Sequence, residues 1–147
     1  MRFFKYFKDE AELVLLDGAI FWLPTGSTSK LSRFTAYGRA LRAPNGYFGE
    51  NWDAFSDCLL ELDWIDSFEV FLIHRELPHL SQEETAIYLD ILQHAMTTWS
   101  DKKTDELSHL YPSFIPHRLT IYSPREIEEL VSSFVGGGAS HSHSSGA

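Results

Sequence analysis

One cysteine in 147 residues, Cys58, leaves no possibility of an internal disulfide, so the fold must hold by packing, as suits a reducing cytosol. No stretch reaches the roughly 18 apolar residues of a membrane-spanning helix. The opening MRFFKYFKDEAE also lacks the apolar core and small-residue cleavage site of a secretion signal. A cytoplasmic location is therefore expected. Basic residues are scarce, 12 Lys and Arg against 21 Asp and Glu, for a net charge of −9. That balance argues against nucleic acid or an anionic membrane as direct partner and favours a basic protein or cationic ligand. No HExxH, no DxDxDG loop and no internal repeat occurs anywhere, which removes the common zinc-protease and calcium-loop chemistries. No metal or other cofactor is expected.

What the chain does have is apolar and aromatic material. It is 44% hydrophobic and carries eleven Phe, six Tyr and four Trp, enough for one domain with a true core. The strand candidates are ELVLLDGAIFWLP (12–24), SFEVFLIH (67–74) and HRLTIYS (117–123). In the first, the strand is expected at the opening apolar run. Asp17-Gly18 is either a hairpin turn or a tight turn leading into an extended connection. The helix candidates alternate with the strands. In STSKLSRFTAYGRALR (27–42) a buried face of Leu31, Phe34, Tyr37 and Leu41 is expected, with Lys30, Arg33, Arg39 and Arg42 on the rest. Pro44 and Asn45-Gly46 break that helix, and a second one is expected from about Glu50 to Leu62. A third begins at Ser81, with Glu84 three residues on as a capping-box pattern, and buries Tyr88, Leu92, Ala95 and Trp99. A short helix begins after Ser123-Pro124. SDKKTDELSHLYPSFIP (100–116) reads as a polar loop, and the Gly/Ser/His-rich residues 136–147 as a disordered tail. Alternating strands and helices imply crossover connections and a mainly parallel sheet, an α/β fold.

Charge is unevenly placed. Residues 1–45 carry +3, residues 46–66 carry −6 and residues 67–147 carry −6. The stretch GYFGENWDAFSDCLLELDWID (46–66) holds six carboxylates and no Lys or Arg. At about 100° per residue, Glu50, Asp53, Asp57 and Glu61 fall in an arc of roughly 80°, while Trp52, Phe55, Cys58, Leu59 and Leu62 form a separate apolar stripe. Uncompensated like charges one turn apart cost a helix a few tenths of a kcal/mol each. A solvated face is the plain reading. The missing basic partners, the acids near the helix C-terminus and the flanking aromatics bring a protein-binding face level with it, and the residues alone leave the two readings even. A metal or acid/base pair at Asp53 and Asp57 is a further alternative, but two carboxylates are too few for a calcium cage.

The run YFGENWDAFSDCL resembles the barstar family, small intracellular inhibitors of barnase-type ribonucleases. Tyr47, Phe48, Gly49, Glu50, Asn51, Trp52, Asp53, Ala54, Phe55, Asp57, Cys58 and Leu59 satisfy the family pattern. LLDGAIF resembles the family's opening strand and turn and so disfavours the hairpin. The likeness extends more weakly over residues 12–123. It implies a three-stranded parallel sheet with helices packed on it in a single layer, within a domain spanning 1–135. Residues 1–11, the 100–116 loop and the helix at 124–134 would be additions. It also implies a non-enzymatic inhibitor whose acidic helix fills the active site of a basic ribonuclease or nuclease toxin domain, as an immunity protein would, with the free chain monomeric. Asp57 would be the central anchor, with Asp53 beside it. Tyr47 would cover the catalytic residues and Asn51 would bond at the rim, with Glu50, Ser56 and Glu61 along the same face. The chain departs from the pattern at Ser56, where barstar has Trp. It departs again at Glu61-Leu62, where barstar has Gly-Trp, and at His94, which aligns with a partner-contacting Glu. A regulatory domain that keeps the fold but binds another basic protein is the alternative. Cys58 reads as a buried thiol, His74, His79, His109 and His117 as incidental, and His141 and His143 as part of a flexible tail able at most to bind metal weakly.

Overall fold

A computed structural model of the chain describes residues 4–101, 110 and 114–135. The expected tail at 136–147 and most of the 100–116 loop lie outside the described residues. Four strands form one sheet: β1 (Phe4–Phe7), β2 (Ala19–Trp22), β3 (Glu69–Ile73) and β4 (Arg118–Pro124), in the spatial order β1-β4-β3-β2. Every pair is parallel, with Ala19 opposite Val70, Val70 opposite Leu119 and Phe4 opposite Ile121. Helices α1 (Lys30–Ala40) and α2 (Trp52–Leu59) lie between β2 and β3, and α3 (Gln82–Ser100) lies between β3 and β4. Residues 128–135 are also helical, after a 3₁₀ turn at Arg125–Ile127.

The parallel α/β class is as expected, but the sheet has four strands, not three. The added strand is β1, within the first 11 residues. FKYF is too short to show a period, yet Phe4 and Phe7 are both buried, on opposite faces of the sheet. A second correction concerns residues 12–16. The strand lies after the Asp17-Gly18 turn, at β2, and no hairpin forms because β2 pairs with β3. The apolar run before it belongs to a 3₁₀ helix, Glu10–Leu15. Local capping outweighs strand propensity there: Asp9 Oδ1 accepts from the Ala11 N–H, and Glu12 Oε2 accepts from the Asp9 N–H at 3.1 Å. Only Leu13 of this turn is buried, against Phe7 and Ile73, while Val14 and Leu15 face outward.

The helices cover the other face of the sheet. Val70, Leu72, Leu119 and Ile121 meet Phe34 and Tyr37 of α1, Phe55 and Leu59 of α2, and Tyr88 and Leu92 of α3. β3 is covered on both faces, as its unbroken apolar sequence requires. Ser29 and Ser81 cap α1 and α3, accepting from Ser32 N–H and Glu84 N–H respectively. The face of α1 is rotated from the expected one. Leu31 is 56% exposed, and Arg33, expected on the polar side, is 1% exposed.

Candidate functional site

α2 is shorter than the expected Glu50–Leu62 because both ends are fixed by local chemistry. Asn51 is the N-cap, its Oδ1 accepting from the Ala54 N–H at 2.8 Å. At the other end, the Leu60 N–H turns back to the Asp57 carbonyl at 3.0 Å, and Leu62 adopts a left-handed φ of 46°. Asp53 and Asp57 therefore stand on the helix itself, while Glu50 precedes it and Glu61 follows it. All four carboxylates are exposed. Among the described residues the ion pairs are Arg75–Glu10, His79–Glu76, Arg118–Glu69 and Arg125–Glu128. No hydrogen bond or ion pair among the described residues engages the four. Asp53 lies in the first turn, where the helix dipole favours an anion. Asp57 lies in the last turn, where no basic residue offsets it.

The segment before α2 separates two aromatic neighbours. Phe48 is 1% exposed and packs on Tyr37, Phe55 and Trp64 at centroid distances of 5.3, 5.7 and 6.2 Å. Tyr47 points the other way and is 50% exposed. Partial desolvation, and then the charge of Glu50 with those of Asp57 and Glu61, hold its phenol above the ordinary tyrosine value. The structure thus brings Tyr47, Glu50, Asp57 and Glu61 within electrostatic reach of one another. Gly49, with φ +98°, lets the chain fold onto the start of α2, since a Cβ there would come within 2.6 Å of the Phe55 nitrogen. Cys58 lies beneath the charged face. Burial, and then Glu61 and Asp57, push its thiol up to about 11, so it stays protonated and inert. Ser56 is half-buried beside Asp57. His94 is exposed on α3, with Nε2 3.5 Å from Thr98 Oγ1; among the described residues no hydrogen bond or ion pair ties it to α2. Among the described residues, no three His, Cys, Asp or Glu side chains cluster as a metal site would require.

Sequence patterning missed what supports α2 from below. The Arg33 guanidinium donates to the Pro24 carbonyl at 3.0 Å, to Ser27 Oγ at 3.3 Å and twice to Tyr88 Oη at 3.3 and 3.1 Å. Tyr88 Oη also lies 2.6 Å from Tyr37 Oη and 2.7 Å from His74 Nε2. The His74 Nδ1 faces the Tyr122 carbonyl at 3.4 Å; with its proton there, Nε2 accepts from the Tyr88 hydroxyl. Burial, and then the Arg33 charge, lower the His74 pKa to about 3. The rings of this node carry α2: Phe55 packs at 4.8 Å on Tyr37, and Trp52 at 6.4 Å on Tyr88. A buried Arg cannot be inferred from helical spacing. Its only sequence signal is its place between Ser32 and Phe34, one step from the apolar stripe.

Fold and surface together define a class: an all-parallel α/β domain whose charged face is one short helix and the loop leading into it. The family model described as Barstar (barnase inhibitor) matches residues 25–110. That is more than half of the chain, and the chain belongs to the barstar family. The family is one of ribonuclease inhibitors rather than enzymes. The match covers α1, α2, β3 and α3, beginning after β2 and ending before β4, so LLDGAIF lies outside it. No curated protein and no solved structure matches the chain. No helix among the described residues is long and apolar enough to cross a membrane.

Proposed function

We propose that this chain is an intracellular inhibitor, an immunity protein, that blocks the active site of a basic ribonuclease or nuclease toxin through α2 and the Tyr47 loop. The observation that carries the reading is the set of four exposed carboxylates with no bonded partner among the described residues, mounted on a closely packed scaffold. A nuclease holds phosphates with cationic side chains, and carboxylates make charge-assisted bonds to the same groups. Asp57 is the central anchor, Asp53 lies beside it, and Glu50 and Glu61 extend the charge at either end. Tyr47 covers the catalytic groups. Asn51 uses its oxygen to cap α2 and offers its amide hydrogens at the rim. Ser56, small and next to Asp57, leaves room for a long cationic side chain. His94 stands at the edge of the contact.

The test is affinity capture on immobilised wild type and Asp57→Ala protein in parallel, with the eluates assayed for RNA and DNA cleavage. Wild type should retain a nuclease that Asp57→Ala does not, and added soluble wild type should suppress its activity. Truncating a central anchor should cost more than about 2 kcal/mol of binding. Equal retention by wild type, Asp53→Ala and Asp57→Ala would overturn the reading.

A further inference from the structure

Gly38 is the one glycine within α1, and an interior glycine disfavours a helix relative to alanine. What the position needs is the absence of a side chain. A Cβ on Gly38 would overlap the carbonyl oxygen of Gly46 and lie 2.8 Å from its carbonyl carbon. Both are backbone atoms, so relief requires the loop itself to move. That loop is closed at several points. Ala43 N–H bonds the Gly38 carbonyl at 3.0 Å, and Gly46 N–H bonds the Ala43 carbonyl at 2.8 Å. The Trp64 indole N–H reaches the Leu41 carbonyl at 2.8 Å. Arg42 and Asn45 hold left-handed φ values of 54° and 59°, which non-glycine residues adopt at a cost. The next residue after Gly46 is Tyr47, turned outward toward Glu50, Asp57 and Glu61.

We infer that Gly38 is a positioning residue for the binding face: its bare backbone lets the loop seat on α1 and so sets where Tyr47 stands relative to the α2 carboxylates. The inference rests on the reading of that face as the partner site. Phe48 alone does not fix the arrangement, because a buried ring anchors one residue, whereas the Gly38–Gly46 contact holds the loop backbone at the neighbouring position.

The test is Gly38→Ala in the full chain, read by amide spectra, by the titration of the Tyr47 phenol and by thermal melting. The amides of Asn45, Gly46 and Tyr47 should shift more than those of β3 or α3, and the phenol should titrate at lower pH than in wild type. Unmoved Tyr47 signals with a lowered melting temperature would make Gly38 a packing residue only and overturn the inference. Should Gly38→Ala not fold, backbone order parameters of the wild type decide. Values over 43–49 near the roughly 0.85 of rigid structure support a seated loop, and values below about 0.6 overturn it. A separate arm tests the face itself. The double variant Asp53→Ala/Asp57→Ala should bind a hexa-arginine peptide at least about tenfold more weakly at low salt. Failure of that arm would sink the charged-face reading and leave the loop result standing.

Discussion

Charge below α2 and charge on top of it obey opposite rules. Beneath α2, Arg33 is almost wholly buried, and its guanidinium is met by the Pro24 carbonyl, the Ser27 and Tyr88 hydroxyls and the rings of Tyr37 and Tyr88. On top of α2, Asp53 and Asp57 are exposed, and nothing among the described residues is bonded to them. Buried charge is tolerable only when its bonds are complete, whereas exposed charge is cheap to leave open. The first arrangement serves the fold, and the second leaves its charge open to solvent. The Tyr37–Tyr88 pair joins them, being bonded to the node and packed under Phe55.

The comparison breaks most sharply at Tyr88. Tyr88→Phe removes the oxygen shared by Arg33, Tyr37 and His74 and leaves a buried cation short of acceptors, so urea denaturation should show a loss of about 3 kcal/mol or more. Acid should attack the same place. His74 has a folded pKa of about 3, below its unfolded value near 6.5. Its contribution is therefore fully present above pH 6.5 and is lost as pH falls toward 3. The groups around it, Arg33 and Tyr37 from α1, Tyr88 from α3 and the Tyr122 carbonyl from β4, offer no anion to oppose that loss. Denaturation midpoints across pH 4–7 should follow a slope of up to about 1.4 kcal/mol per pH unit, absent in His74→Gln.

A smaller effect belongs to Asn51, which serves both regions. Asn51→Ala should cost about 1 kcal/mol as a lost cap, measured by thermal melting, while Asn51→Asp should restore most of it. The smallest effect is expected on the face itself. Asp57→Ala should leave stability unchanged or raise it by a few tenths of a kcal/mol, because it removes an anion from a helix C-terminus. A loss above about 1 kcal/mol would mean that Asp57 is structural and would erase the contrast between the two regions.

The parts of the fold that were legible in the sequence are those with a period or a cap. α3 follows from Ser81 and its apolar spacing, β3 from an unbroken apolar run, and the charged stripe from the separation of Asp53 and Asp57 from Phe55 and Leu59. The rest depended on interactions that a linear pattern does not encode. β1 is four residues long, and its burial arises from β4, over a hundred positions away. Leu13–Leu16 is apolar enough for a strand, but Asp9 and Glu12 fold it locally first. Arg33 looked like surface because helical spacing counts a guanidinium as polar without asking whether its bonds can be met indoors. Within the site, the sequence placed Asp53 and Asp57 together but drew α2 too long, because the cap formed by Asn51 and the left-handed Leu62 are features of backbone geometry.

Cys58 offers a clock for this surface. Cys58 lies on the helix that bears Asp53 and Asp57, and its thiol is buried and kept protonated, so a maleimide or disulfide reagent should react faster whenever α2 loosens from the core. With no second thiol in the chain, the labelling rate reports on that one helix, and a partner bound over its charged face should slow the reaction.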